Sequence, residues 1–176
     1  RAFDESLERM GLDHLDIVLM HDAEEYVKEA IENAFPVLAE YRSQGLIKAV
    51  GIGINQTEQA VQIMESTDLD IALIAGRYSL LDQISHRELF PYALAHNIDI
   101  SMGGVLNSGV LANPVAGATY NYLPASDEII ARAAKIGEFL KARNIPLLAA
   151  ALQFPLRHPA VTSVLTGTRT AAELLE

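Results

Sequence analysis

His21 and Asp22 are the residues of this chain best placed to do chemistry. They close the segment SLERMGLDHLDIVLMHD, Ser6 to Asp22, in which a charged amphipathic stretch leads through Asp16 into the apolar run Ile17-Val18-Leu19-Met20. So short an apolar run between helical patterns reads as a buried parallel strand. A strand that ends in His-Asp carries two titratable groups at its carboxyl end, where parallel α/β folds bind ligands. Two further stretches have chemical capacity. Gly167-Thr168-Arg169-Thr170 opens a helix, where amides and dipole attract anions and an arginine adds a fork suited to phosphate; Thr168 reads equally as a plain N-cap. Met102 to Gly109, MGGVLNSG, is small enough to let backbone approach a ligand, or to form a tight turn. His14, His86, His96 and His158 have no spacing that makes a metal set, and His158-Pro159 reads as a helix stop.

The elements that position these residues alternate. A helix is expected from about Glu25 to Gln44, kinked or divided at Pro36, with Gly45 as its C-cap. Lys48 to Ile54 reads as a strand, and Gln56 to Thr67 as a helix with Val61 and Met64 inward. Ile71 to Ala75 is a strand, and Ser85 can cap a helix running to about His96. A strand from Asp99 to Val105 precedes a polar, aromatic loop from Asn113 to Ser126. Helices then run from Asp127 to Arg143 and from Pro146, in its first turn, through Phe154. Val161 to Thr166 is the last strand, and Thr168 or Thr170 caps a final helix. Strands that each lead into a helix argue for a parallel sheet with crossover helices. No G-x-G-x-x-G follows a strand, which leaves a dinucleotide-binding doubly wound fold unsupported and favours a (β/α)8 barrel.

Composition narrows the function classes. At 176 residues the chain has room for one domain with a real core. A net charge of −10, with no Lys/Arg cluster, argues against nucleic-acid binding. There are no cysteines, so disulfides and thiolate metal sites are excluded. No apolar run approaches a membrane span and no signal peptide is evident, so a cytoplasmic location is expected. The chain begins with Arg1 and ends at Glu176 inside a helical pattern, which suggests a single domain cut from a longer protein.

The motifs resemble those of the aldo-keto reductases. SLERMGLDHLDIVLMH is similar to the family's signature segment. RSQGLIKAVGIGIN (Arg42 to Asn55) is similar to its next helix end and strand. AGRYSLLDQ, NSGVL, AALQFPLRHPAVTSVLTGTR and AAELLE resemble the branch of D-threo-aldose, L-fucose and pyridoxal dehydrogenases. The resemblance covers essentially the whole chain. It implies a partial (β/α)8 barrel, family strands four to eight, that binds NADP or NAD without a Rossmann motif. It implies oxidation of an aldose at C1 to a lactone, with a small sugar or aldehyde as substrate.

By the same resemblance His21 is the histidine of the catalytic Asp-Tyr-Lys-His tetrad and hydrogen-bonds the reacting oxygen. Asp22 tunes His21, binds sugar hydroxyls or caps the next helix. Asn55 takes the place of the carboxamide-binding residue, or is a helix cap. Backbone at Gly104, Leu106 and Ser108 is implied for the pyrophosphate, with Ser108 the best phosphate contact. Gly167, Thr168 and Arg169 are implied for the adenosine end, with Glu173 and Glu176 near adenine or ribose. Tyr78 packs against cofactor or substrate, or sits in the core, and Arg77 offers a polar group to a polyol substrate, or forms a strand-end ion pair. The sequence departs from the family where a glutamine is replaced near Ala75 and an aromatic is replaced by Gly103. The tetrad's Asp, Tyr and Lys belong to earlier strands, and Tyr26, Tyr41 and Lys28 lie on the wrong elements to replace them, so the chain taken alone is expected to be inactive. Two other readings stand beside this one: a metal-dependent barrel hydrolase using His21 and Asp22, and a non-catalytic barrel homologue.

Overall fold

The computed structural model of the chain describes residues 2–168 and 170–175. Arg169 and Glu176, two of the residues implied for the adenosine end, lie outside the described residues. The alternation expected from sequence is present. Helix α1 (Ala2–Met10) leads into β1 (Leu15–His21), followed by α2 (Val27–Glu29), a π-helical turn (Ala30–Ala34) and α3 (Phe35–Ser43). Then come β2 (Ile47–Ile54), α4 (Thr57–Ser66), β3 (Ile71–Ala75), α5 (Leu89–His96) and β4 (Asp99–Gly103). A hairpin of β5 (Thr119–Tyr120) and β6 (Leu123–Pro124) precedes α6 (Asp127–Lys141), α7 (Leu147–Gln153), β7 (Val161–Val164) and α8 (Ala171–Leu175). The five long strands form one sheet in the order β1-β2-β3-β4-β7.

The chain divides into two compact units, Arg1–Ile74 with Arg87–Ile100, and Ala75–His86 with Ser101–Glu176. In the first, β2 is central and pairs in parallel with β1 and β3, with Leu19 opposite Gly51 and His21 opposite Gly53. Val50, Ile52 and Ile54 of β2, Ile63 and Met64 of α4, and Leu89 and Phe90 of α5 are buried there. A β-carbon on Gly51 would overlap the Ile71 carbonyl oxygen and stand 2.6 Å from Leu19 Cδ2. Arg42 at the end of α3 donates to Asp70 Oδ2 at 2.6 Å, and the same oxygen accepts the Val50 N–H at 2.7 Å. That carboxylate therefore ties a helix end to the central strand. The second unit packs Leu81, Val110, Leu111, Ala133 and Ala151 together, with Ile129, Ile130 and Leu147 against them.

Several expectations are corrected. Strand β1 is not buried: Ile17 is 50% exposed, because β1 pairs along one edge only, with β2. The long helix is divided by the π turn rather than at Pro36, which falls in the first turn of α3. Widening the helix just before the proline means its missing N–H falls where no partner is owed. Gly45 does end α3: at φ 76°, its N–H reaches Arg42 O and the Leu46 N–H reaches Tyr41 O, both at 3.0 Å. The buried stripe of α4 is Ala60, Ile63 and Met64, with Val61 only half-buried.

Ser85 caps nothing. It is fully buried in a 3-10 turn (Ile84–His86), and α5 starts at Leu89. Pro91 explains this, since a helix begun at Ser85 would carry that proline in its interior. The loop expected over Asn113 to Ser126 contains the hairpin, turned by Asn121 and Tyr122 at φ 48° and 65°. Positive φ at both positions is the type I′ form, here built without its usual glycine. Strands β4 and β7 stop at Gly103 and Val164, short of the expected Val105 and Thr166. Helix α6 ends at Lys141, not Arg143, and Pro146 stands at the N-cap of α7 rather than in its first turn.

The packing at Gly51 has a measurable consequence. Gly51→Ala should lower the urea unfolding midpoint, with a loss of at least about 2 kcal/mol from overpacking. Gly167→Ala, at a position where nothing lies within 4 Å, should leave the midpoint unchanged.

Candidate active site

In the first unit, His21 is the last residue of β1 and its side chain is 74% exposed. Glycine opposite makes the room: a β-carbon on Gly53 would stand 3.3 Å from His21 Cδ2. The chain leaves the sheet at the next residue. Asp22 has φ 51°, and its N–H donates to Gly53 O at 2.8 Å. That turn brings Asp22 Oδ2 to 3.1 Å from His21 Nδ1. Asp22 does not cap the next helix, whose N-cap is Tyr26 with no side-chain hydrogen bond. Ala23 to Tyr26 form a separate turn first, closed by Tyr26 N–H to Ala23 O at 3.0 Å. A hollow of about 420 Å³ opens beside the pair, walled by Tyr26, Glu29, and Asn33 of the π turn. Asn55, half-buried, follows the end of β2, and α4 then begins after Gln56 without a side-chain cap.

In the second unit, the loop after β4 carries Gly104, Leu106 and Ser108. Gly104 has φ 59°, and a β-carbon there would stand 3.1 Å from Gly76 N, so a side chain would strain the backbone and press on its neighbour. Leu106 is right-handed (φ −89°, ψ 3°), while Asn107 and Ser108 are left-handed at φ 48° and 60°. Such an alternation of hand is the form in which flanking backbone N–H groups can meet an anion; the Asn107 N–H between them donates to Gly104 O at 2.8 Å. Ser108 is exposed. Its Oγ accepts the Tyr122 N–H at 3.0 Å and its carbonyl accepts Thr119 Oγ1 at 2.6 Å. The hydroxyl proton of Ser108 remains able to donate.

Of the paired readings for Tyr78 and Arg77, the structure has the packed core residue and the ion pair. Tyr78 is buried, stacked on Phe154 at 5.0 Å and edge-on to His158 at 5.6 Å, and burial pushes its phenol pKa up. It sits in packing rather than on display at the strand end. Arg77 Nη1 lies 3.4 Å from Asp82 Oδ2 and 3.2 Å from Asn121 Oδ1, which is the ion-pair arrangement. Gly167, Thr168 and Glu173 are exposed, and Thr170 rather than Thr168 caps α8, accepting the Glu173 N–H at 3.2 Å.

Sequence reasoning missed two groupings. Asn107 is 1% exposed and joins Ser79 and Gly76, a contact that no spacing signals; a polar residue in a Gly-rich turn was the sole clue. His86 and His158 meet, Nδ1 to Nε2 at 3.2 Å, though 72 residues apart. The Ala160 N–H donates to His158 Nδ1 at 3.2 Å, which leaves the His158 Nε2–H to donate to His86 Nδ1. Burial, and secondarily His86, hold the His158 pKa below the usual imidazole range. Among the described residues, no group of three or more His, Asp or Glu side chains is arranged to hold a metal ion.

Known proteins resemble this chain along its length. The family model described as the aldo/keto reductase family matches residues 1–176. The pyridoxal 4-dehydrogenase of Microbacterium luteolum is 39% identical over 185 residues, covering 99% of this chain and 54% of that protein. The D-threo-aldose 1-dehydrogenase of a Pseudomonas species is 37% identical over 175 residues, covering 98% of this chain and 53% of that protein. Among solved structures, an aldo-keto reductase of Bacillus halodurans in its holo form matches with a TM-score of 0.78 at 22% identity. That match covers 99% of this chain and 55% of the other, and at such identity it shows the fold. The five-stranded parallel sheet with its crossover helices is a partial (β/α)8 barrel of the aldo-keto reductase type. The chain spans about half the length of the curated relatives it matches.

The His86–His158 contact yields a pH prediction. The folded His158 pKa is depressed, so the unfolded chain binds more protons as pH falls below about 6.5, and stability is lost in that direction. Between about pH 7.5 and about pH 5, the urea midpoint of the native protein should fall further than that of His158→Gln. Equal falls would mean that His158 does not contribute.

Proposed function

The chain belongs to the aldo/keto reductase family, and on that premise we propose that it carries part of the machinery of a nicotinamide-dependent oxidoreductase that oxidises an aldose at C1 to a lactone. The observation that carries this reading is His21 at the carboxyl end of β1, open to solvent over Gly53, with Nδ1 3.1 Å from Asp22 Oδ2. The Asp22 carboxylate beside Nδ1 can steady the ring, which leaves Nε2 as the nitrogen for a substrate. The imidazole can hydrogen-bond the C1 oxygen of a sugar hemiacetal and hold it in one orientation, while the hydroxyl proton leaves by another group. Asp22 thus acts on His21 as an orienting partner. Of the substrate roles considered for Asp22 and Tyr78, Asp22's exposure supports contact with sugar hydroxyls, and Tyr78's burial supports shaping the wall of its unit.

The cofactor is NADP or NAD, and when bound it supplies the hydride acceptor. The second unit's loop fits such a group: Gly104 is exposed and bare at φ 59°, and the backbone from Leu106 to Ser108 has the alternation of hand found at anion sites. Gly104, Leu106 and Ser108 would hold the pyrophosphate, Asn55 the carboxamide, and Gly167, Thr168, Arg169 and Glu173 the adenosine end. In the family a tyrosine on an earlier strand handles the hydroxyl proton, so the part left to His21 is to fix the oxygen. Reading His21 and Asp22 as metal ligands lacks a third ligand among the described residues. Relatives that match most of this chain are named as aldose and pyridoxal dehydrogenases, which supports a small carbonyl or sugar substrate. No described helix is long and apolar enough to cross a membrane.

In the full-length protein, His21→Ala should lower kcat for aldose oxidation on the order of 10²-fold through lost orientation, with cofactor Kd nearly unchanged. Retained turnover in His21→Ala would return the residue to a structural role.

A further inference from the structure

We propose that Asn107 is a positioning residue for cofactor binding, holding the Leu106–Ser108 backbone in the form that receives a pyrophosphate. The inference rests on the reading of that loop given above. Asn107 is buried, and both ends of its amide are engaged. Nδ2 donates to Gly76 O at 3.2 Å, and Oδ1 accepts from Ser79 Oγ at 2.5 Å. The turn after β3 is thereby joined to the loop after β4.

Ser79 is committed in turn. Its Oγ accepts the N–H groups of Leu81 and Asp82, each at 3.1 Å, so its single proton goes to Asn107. Gly76 is fixed from its other side, where its N–H donates to Gly103 O at 2.9 Å. The Gly76 backbone is also what a side chain on Gly104 would strike. The turn after β3 therefore holds the loop at two points, at Gly103 through the Gly76 N–H and at Asn107 through its amide.

Filling space does not require this arrangement. An apolar side chain of the same volume would fill the hole but leave Gly76 O and Ser79 Oγ–H without partners, at a cost of about 1–3 kcal/mol each. Aspartate would keep the bond from Ser79 and set a charge against Gly76 O. Asparagine also tolerates the left-handed backbone that the position demands, at φ 48°. That left-handed residue is the second half of the alternation flanked by the N–H groups of Leu106 and Ser108. Position 107 sets both the anchoring and the shape of the loop, while its own side chain is buried.

The test uses Asn107→Gly, which keeps the left-handed backbone accessible and deletes the brace, in the full-length protein. Titration calorimetry would follow NADP+, NAD+ and ADP-ribose, which share the pyrophosphate, alongside melting of the cofactor-free protein. The expected result is a Kd raised about tenfold for the preferred dinucleotide and for ADP-ribose alike, equivalent to about 1.4 kcal/mol. At saturating cofactor, kcat should stay within about twofold and the sugar KM should not move. An unchanged ADP-ribose Kd, or a lowered melting temperature with normal affinity, would overturn the proposal. Ser79→Ala removes one of the two bonds and should raise both Kd values about threefold; no change in Ser79→Ala would overturn it even if Asn107→Gly does not fold. Native protein that binds none of the three ligands would instead remove the cofactor reading itself.

Discussion

Two glycines on one face of β2 govern the first unit. Gly51 and Gly53 alternate with the buried Val50, Ile52 and Ile54, so one face of the central strand is filled and the other is bare. Leu19 of β1 and Ile71 of β3 close over Gly51, and His21 closes over Gly53. The parallel register fixes this, because Leu19 and His21 stand directly opposite the two glycines. Side chains at 51 and 53 would drive the neighbouring strands apart or push His21 from its place. The position of the candidate histidine is thus a property of β2 as much as of β1, and the turn at Asp22 hangs from Gly53 as well.

The second unit solves a different problem with polar contacts. Its loops carry left-handed residues at Asn107, Ser108, Asn121 and Tyr122, a costly concentration outside glycine. Each is met by a bond that holds it: Asn107 to Ser79 and Gly76, Ser108 to Thr119 and Tyr122, Asn121 to Arg77. Backbone strain of this kind persists where surrounding structure over-determines it, and such places cluster at ligand sites. The loop after β4 has that character.

Features set by local chemistry were legible in the sequence. The bounds of β3, the C-cap at Gly45 and the start of α6 at Asp127 depend on a few adjacent residues, and so does the placing of His21 at a strand end. What was not legible depends on partners distant in sequence. Ser85 has the type of a cap, but Pro91 decides where the helix can start. The π turn leaves the helical periodicity of its apolar residues intact, so nothing in their spacing announces it. Ser108 stood out because it is polar in a Gly-rich turn, whereas Asn107 beside it matters only once Ser79 and Gly76 are folded around it. The burial of Tyr78 follows from Phe154 and His158, which no motif links to it.

The reaction proposed for this protein requires that the hydrogen on C1 of a sugar leave as hydride while His21 holds the adjoining oxygen. Isotopic labelling reads that event without reference to any one residue. Full-length protein would be given an aldose deuterated at C1 together with NADP+ or NAD+, and the recovered reduced cofactor examined by NMR. The account predicts deuterium at C4 of the dihydronicotinamide ring and a lactone product. Oxidised sugar with no deuterium in the cofactor, or no reduced cofactor at all, would contradict it.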